Sequence, residues 1–152
     1  MKMSSIVTFV LCALIITKAQ AEPQEIDQEL TTLADKLATP IKECGKKKVT
    51  VLDFTDLQGT SSGELGKYIA EQLSVDLVMS KRDFSVLDRA NLKSILAEHK
   101  LTAKGLVDPE NAKKLGQFAG VDALILGTII PKNNHVSLTA KIITTDTAEI
   151  IG

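Results

Sequence analysis

The chain has 152 residues with 18 basic and 19 acidic side chains, which is room for one domain of ordinary size. The near-neutral balance leaves no strong field of one sign, so neither nucleic acid nor an anionic membrane surface is expected as a partner. Tryptophan is absent and other aromatic residues are sparse, which argues against platforms for carbohydrates or stacked bases.

Residues 1–21 have the three parts of a secretory signal peptide. Lys2 supplies a basic start, residues 6–16 form an almost unbroken apolar run, and Ala19-Gln20-Ala21 is a small-x-small cleavage site. The run is shorter than the roughly 20 apolar residues that a membrane-spanning helix needs. We therefore predict cleavage after residue 21, export to the periplasm and no membrane span in the mature chain.

The two cysteines predict neither a lipid anchor nor an internal disulfide. Cys12 lies inside the apolar run and follows Leu11, whereas a bacterial lipoprotein signal places a small residue before its cysteine. The mature chain keeps Cys44 alone. An unpaired thiol and an intermolecular disulfide in an oxidising compartment both stay open for Cys44.

Residues 22–45 are predicted to form an N-terminal helix and a connector. The helix is expected over residues 24–38, and Pro40 is expected to end or kink it. Its apolar stripe consists of Ile26, Leu30, Leu33 and Leu37. One such stripe suits a helix that covers a sheet, and it also suits a helix that binds a partner.

Residues 46–152 are predicted to form one α/β domain. Lys48–Phe54 is apolar on both faces, as expected of a central strand covered on both sides. Alternation along this strand assigns one face to Val49, Val51 and Asp53, and the other to Thr50, Leu52 and Phe54. Glu64–Met79 has an apolar ridge at helical spacing, and Phe84–Leu87 follows as a second strand, which predicts a parallel strand–helix–strand unit. The helical ridge is formed by Leu65, Ile69, Leu73 and Leu77, widened by Ala70 and Val78.

Two further helices are predicted from their capping residues. Asp88 caps a helix that runs to about Lys100. Asp108-Pro109-Glu110 starts the next helix, and Gly120 ends it. The apolar faces of the two helices are assigned to Leu92, Ile95 and Leu96 and to Ala112, Leu115 and Phe118.

The C-terminal part is predicted to be a hairpin. Val121–Ile130 is a nearly continuous apolar strand, and Val136–Thr144 alternates as expected of a half-buried antiparallel partner. Glu149–Ile151 is a candidate final strand. The fold class is therefore α/β, with a mixed sheet of four to five strands, a parallel βαβ unit, helices on the faces and a C-terminal antiparallel hairpin.

Three residues are candidates for binding. Asp53 and Asp56 follow the first strand, where α/β proteins often place their sites. Arg89 follows the second strand and has the geometry to fork onto backbone carbonyls or onto Asp53. Because no base, nucleophile or oxyanion partner accompanies these residues, loop capping and structural ion pairing are the preferred interpretations.

No catalytic residue, metal site or cofactor is predicted. His99 and His135 are far apart in sequence, and Cys44 has no neighbouring ligand. The Gly59–Gly63 loop before a helix resembles a phosphate-binding loop in outline, but Glu64-Leu65 stands where a P-loop has Lys and Ser or Thr. We interpret this loop as a flexible crossover and expect the protein not to be an enzyme.

The order and spacing of several short segments resemble the FlgO domain family, which is related to the curli secretion protein CsgG and more distantly to the amino-terminal domain of TolB. The segments are Val49–Phe54, Gly63–Gly66, Phe84–Arg89 with Leu92 and Leu96–Glu98, Leu115–Gly116, Gly120–Ala123 and Leu126–Thr128. The resemblance spans residues 46–152. It implies an α/β domain that helps to build or stabilise envelope structures such as flagella or secretion assemblies, and it implies no catalytic residues.

Two features separate the chain from a CsgG-type pore. Membrane strands need about 9–11 residues and come in pairs. The loops Asp56–Gly63 and Pro131–Asn134 are too short for such hairpins, and a lipid anchor is not expected. Similar folds also serve as lipoprotein activators of cell-wall synthases.

We therefore expect a non-catalytic periplasmic or outer-membrane-associated interaction module, accessory to flagellar or other cell-envelope assembly. Its expected partners are envelope or appendage-assembly proteins. The alternatives are an activator of a cell-wall synthase, a small-ligand sensor or hydrolase that uses a crevice above Asp53, Asp56 and Ser61, and a self-assembling homo-oligomer.

Overall fold

The computed structural model describes residues 22–60, 62–80, 83–102, 108–133 and 135–152, with residues 22–25 described by their backbone alone. The predicted signal peptide and Ser61 lie outside the described residues. The elements in chain order are α1 (Glu22–Glu43), β1 (Lys48–Val51), α2 (Gly63–Met79), β2 (Ser85–Val86), α3 (Arg89–Glu98), α4 (Pro109–Ala119), β3 (Ala123–Pro131) and β4 (Val136–Thr144).

The four strands form one mixed sheet in the order β2-β1-β3-β4. β1 runs parallel to both of its neighbours, β2 and β3. β3 and β4 pair antiparallel along their full length, from Ala123 opposite Thr144 to Pro131 opposite Val136. The predicted fold class is confirmed, including the central position of the first strand, the parallel βαβ unit and the C-terminal hairpin.

Helices cover both faces of the sheet, and each face has its own core. The first core joins α1 and α2 to the sheet and includes Leu30, Leu37, Ile41, Ile69, Leu73, Leu77, Val49, Val51, Ile125 and Ile142. The second joins α3 and α4 to the opposite side and includes Leu52, Leu92, Ala112, Leu115, Val121, Leu124, Leu126 and Ile143. α1 therefore packs Leu30, Leu33 and Leu37 of its predicted stripe inward, as expected of a covering helix, whereas Ile26 is exposed.

Pro40 does not end α1, so of the two predicted effects, an end or a kink of the helix, the first is wrong. The helix continues through Glu43 with Pro40 inside it. A proline removes its own N–H but keeps its carbonyl, and the Cys44 N–H donates to the Pro40 carbonyl at 3.0 Å. Ile41 is completely buried in the first core, so burial of this last turn offsets the loss of one helical hydrogen bond.

The first strand is shorter than predicted, and its alternation does not reach Phe54. β1 ends at Val51, and beyond it only Thr55 forms an isolated parallel bridge, to Thr128. Phe54 packs in the first core with Val49 and Val51 and not on the face of Leu52. The assignment of Phe54 was wrong because the two-residue period holds only while the backbone stays in the ladder.

Other strand boundaries also differ from the predictions. β2 has only two residues, and β3 begins at Ala123 and ends at Pro131. The predicted final strand Glu149–Ile151 forms an isolated bridge between Ile150 and Ile143. The sheet therefore has four strands, with the C-terminal segment hydrogen-bonded beside the end of β4.

Four positions that were assigned to apolar helix faces lie at the surface, and two of them are Ile26, 46% exposed, and Leu65, 40% exposed. Phe118 is 49% exposed and stacks on the His99 ring with 3.6 Å between the ring centres. Val78 is 59% exposed, whereas Ala70 on the same helix is buried. At the end of α4, the side chain that packs in the second core is Ala119 and not Phe118.

The predicted helix caps are confirmed. The Asp88 carboxylate accepts from the N–H groups of Ala90 and Asn91 at the start of α3. Asp108 accepts from the N–H groups of Glu110 and Asn111 at the start of α4, and Gly120 ends α4 in the left-handed conformation. Within the described ranges, no helix combines the length and apolar character needed to cross a membrane.

Candidate functional site

Arg89 forms the centre of a charged cluster at the start of α3. Its Nη2 donates to the Asp53 carboxylate, which confirms the predicted contact between these two residues. Its Nη1 donates to the Glu71 carboxylate at 2.7 Å and to the Lys67 carbonyl at 3.0 Å. The guanidinium thus joins α2, the segment after β1 and α3, and its side chain is only 11% exposed.

The charges of this cluster balance one another. Lys93 lies with its Nζ 3.6 Å from the second oxygen of Asp53, so two cations face the two carboxylates of Asp53 and Glu71. Burial acts to lower the pKa of Arg89, but hydrogen bonds to the two carboxylates outweigh burial and raise it above its ordinary value. The guanidinium therefore keeps its positive charge beside the two carboxylates.

A small cavity adjoins the cluster. It has a volume of about 80 Å³, and its lining includes Leu52, Leu92, Asp53, Arg89 and Lys93. The Arg89 Nε is buried and has no hydrogen-bond partner among the described residues. Ligand pockets usually measure about 300–1,000 Å³, whereas this cavity has room for only a few water molecules.

Asp56 does not contact the Arg89 cluster and instead binds within its own loop. Its carboxylate accepts from the Thr60 N–H at 3.0 Å and from the Thr60 hydroxyl at 3.1 Å. These bonds close the turn that leads toward α2. Asp56 therefore caps its own loop, as the preferred interpretation predicts. Asp56 does not line the cavity beside Arg89. The structure therefore brings Asp53 and Arg89 together, and the predicted crevice with Ser61 falls partly outside the described residues.

The histidines and the cysteine lie in different parts of the fold. His99 stacks on Phe118 at the end of α3, and His135 lies at the turn between β3 and β4. Cys44 is exposed after α1. Among the residues that the structure describes, no three metal-binding side chains come together.

Two acidic residues that hold elements together were not predicted from the sequence. Glu71 completes the Arg89 cluster from α2, and Asp122 accepts from the N–H groups of Lys47 and Lys48 at 2.8 and 2.9 Å. Asp122 thereby fixes the entry of β1 beside β3. Nothing in the sequence shows that Glu71 meets the Arg89 guanidinium or that Asp122, within a predicted apolar strand, meets the backbone before β1.

The family model of the curli production assembly/transport component CsgG matches residues 29–141. A search of curated protein sequences finds no significant match. The relation to CsgG-type proteins predicted from the short segments is confirmed, whereas the closer relation to FlgO stays a prediction.

Solved structures of LpoB share the fold. The LpoB C-terminal domain of Salmonella enterica is 16% identical with a TM-score of 0.59, over 81% of this chain and 90% of that one. The Escherichia coli domain is 14% identical with a TM-score of 0.60, over 83% and 92%. The NMR structure of E. coli LpoB is 15% identical with a TM-score of 0.56, over 99% and 80%. Because the CsgG model matches residues 29–141, well over half of the 152 residues, the protein belongs to the CsgG family.

Proposed function

We propose that the protein is a non-catalytic interaction module of the bacterial cell envelope, accessory to the assembly of flagella or of another surface structure. The observation that carries this proposal is the CsgG family match over residues 29–141. The signal peptide predicted from residues 1–21 supports export to the periplasm. The proposed partners are envelope or appendage-assembly proteins.

The candidate site supports a structural role rather than a catalytic one. Arg89 is engaged by Asp53, Glu71 and a backbone carbonyl, which leaves its charge compensated within the protein. The adjoining cavity of about 80 Å³ is too small for a metabolite or nucleotide. This argues against the small-ligand alternative, for which a thermal-shift panel of metabolites and nucleotides is the direct test.

Deletion of the gene tests the proposal. We expect impaired motility or impaired assembly of surface appendages, with recovery when the full chain is restored. A chain that lacks residues 1–21 is the matched control and should fail to restore the phenotype, because it is not exported. Normal motility and an unaltered envelope in the deletion strain would overturn the proposal.

A second candidate is an activator of a cell-wall synthase. Its support is the fold shared with the LpoB C-terminal domain over 90% of that chain. The test measures glycan polymerisation by purified synthases of the same bacterium with and without the protein. A faster rate favours the activator, whereas an unchanged rate together with an appendage defect favours the assembly role.

A further inference from the structure

The outward face of α2 carries an exposed apolar stripe. Leu65, Tyr68, Val75 and Met79 are 40%, 45%, 47% and 68% exposed, and the half-buried Gln72 lies between them. These five residues form the α2 stripe. They follow one another at spacings of three and four positions, which places them on one side of the helix. This is the spacing of a coiled-coil seam, which packs against another helix.

The α2 stripe is separate from the side of α2 that packs in the first core. α2 packs over β1 and β2, whereas the C-terminal segment bonds to β4 at the opposite edge of the sheet. α2 therefore has two apolar faces, and the described parts of the chain bury one of them. The buried face consists of Gly66, Ile69, Ala70, Leu73 and Leu77.

α1 runs beside the α2 stripe and brings negative charge to it. The Tyr68 hydroxyl donates to the Asp27 carboxylate, and the Thr31 hydroxyl donates to the carboxylate of Asp76, the residue after Val75. The hydrogen bond to Asp27 raises the pKa of Tyr68 above its ordinary value, and the charge of Asp76 adds to the rise. Both carboxylates therefore lie close to the aromatic ring of the stripe.

Both helices carry an excess of acidic residues around this surface. From Ile26 to Asp35, α1 contains three acidic residues and no basic one. In α2, the single basic residue is Lys67, and it pairs with Glu64. Two copies of this surface would repel each other, and so would an anionic lipid surface, whereas a basic partner is attracted.

We propose that the α2 stripe binds an amphipathic helix of a partner protein, whose apolar face packs on the stripe and whose basic flank faces Asp27 and Asp76. The stripe extends over about 20 Å, which corresponds to about four turns of a partner helix. Apolar burial supplies affinity, and the basic flank supplies selectivity. This inference goes beyond the proposed function, since it names a surface and a kind of helix whichever assembly the protein serves.

Tyrosine fluorescence measures binding at the stripe itself. Tyr68 is the single tyrosine of the chain and tryptophan is absent, so the emission comes from one residue of the stripe. The probe is a synthetic peptide of about 18 residues with Leu at heptad positions a and d, Lys at e and g, and no aromatic residue. Its lysines keep the peptide from pairing with itself. Added to protein purified from cells that express the full chain, the peptide should shield Tyr68 from quenching by acrylamide.

Charge reversal tests the basic flank. The same peptide with Glu in place of Lys should bind at least roughly tenfold more weakly. In the variant with Asp27→Lys and Asp76→Lys, the order of the two peptides should invert. If this variant does not fold, the two peptides on the unchanged protein decide the question. Added salt should weaken binding of the Lys peptide, because it screens the two carboxylates.

A matched pair of valines tests the position of the surface. Val75 and Val78 lie almost one turn apart on α2 and are 47% and 59% exposed, but only Val75 belongs to the stripe. Val75→Ser should weaken binding roughly fivefold, whereas Val78→Ser should change it by less than about twofold. Because both side chains are exposed, both variants should fold as the wild type does.

Three outcomes of these titrations would overturn the proposal. They are no shielding of Tyr68 at millimolar peptide, equal binding of the Lys and Glu peptides, and equal effects of the two valine substitutions. A concentration-dependent oligomer of the protein alone that shields Tyr68 would also overturn it, because a second copy would then cover the stripe. Shielding of Tyr68 by vesicles of zwitterionic lipid would do the same by assigning the stripe to a membrane surface.

Discussion

At the residue scale, one phenylalanine lies so close to two backbone positions that only glycine fits there. Both glycines belong to segments that carry the resemblance to the FlgO family. A Cβ atom on Gly66 would overlap the Phe54 carbonyl oxygen, and one on Gly127 would overlap the Phe54 ring. Phe54 is completely buried, and its N–H donates to the Gly66 carbonyl. The backbones of α2 and β3 therefore approach the segment after β1 more closely than any side chain would allow.

Gly66→Ala should destabilise the protein by about 3 kcal/mol, because the added methyl group meets backbone that cannot move aside without shifting α2. Urea unfolding measures the loss. Lys67→Ala, at the next position and with a half-exposed side chain, is the control and should change stability by less than about 1 kcal/mol. A Gly66→Ala variant as stable as the wild type would show that α2 shifts freely.

Arg89→Ala should cost about 2 kcal/mol, because it leaves the mostly buried Asp53 carboxylate with Lys93 as its remaining cation. Arg89→Lys should recover only part of this loss, since an ammonium cannot fork onto two carboxylates. Glu71→Ala should cost less than about 1 kcal/mol because Glu71 is 64% exposed. Chemical denaturation of the three variants checks this order, and equal losses would contradict it.

At the element scale, the helix signals in the sequence agree with the structure more closely than the strand boundaries do. Capping depends on a few adjacent residues, so Asp88 and Asp108 mark their helices locally. Strand ends depend on the partner strand, and β1 leaves the ladder after Val51 although apolar alternation continues in the sequence. Dependence on the partner strand also explains why the predicted strand Glu149–Ile151 forms only an isolated bridge at Ile150.

Asp108→Ala should destabilise the protein by about 1 kcal/mol, because two N–H groups in the first turn of α4 lose their acceptor. Asp108→Asn should recover most of the loss, since the amide oxygen also accepts there. Thermal unfolding of both variants measures the difference. Equal destabilisation by Asn and Ala would indicate that the negative charge, rather than the hydrogen bond, stabilises the helix start.

At the scale of the whole molecule, distant parts of the chain are joined beside the sheet. The connector before β1 meets the turn after β4 through Lys46 and Asp146, which are 3.1 Å apart. The hydrogen bond from Lys46 holds the pKa of Asp146 below its ordinary value, although slight burial opposes this. The pair is partly exposed, so its contribution to stability is small and sensitive to salt.

Asp146→Asn should lower the melting temperature by a few degrees at most near neutral pH, and the difference from the wild type should vanish in acid. The sign follows from the lowered pKa. The stabilisation is present above the ordinary pKa of about 3.8 and is lost as the pH falls through the folded-state value. Calorimetry between neutral pH and about pH 3 measures this trend.

Lys46→Met supplies the matched control for the pH experiment. In this background, Asp146→Asn should have little further effect, since the interaction that lowers the pKa is already absent. A pH-dependent difference that persists without Lys46 would assign the effect to the backbone N–H groups around Asp146.

The candidate site was predictable only in part. Asp53 and Arg89 each follow a strand, and parallel strands of one sheet bring their carboxyl ends together, so their contact could be predicted. The participation of Glu71 could not, because it depends on how α2 is rotated over the sheet. Asp56, three residues after Asp53, closes its own loop instead of joining the cluster.

The sequence by itself determined the α/β class, the helix starts, the parallel βαβ unit and the C-terminal hairpin, because capping, periodicity and right-handed connection are local rules. Only the tertiary structure decided where β1 leaves the ladder, that Pro40 lies inside a helix and that Phe54 joins the first core. These features depend on contacts between segments far apart in the chain, and burial there outweighs the local preference of each residue.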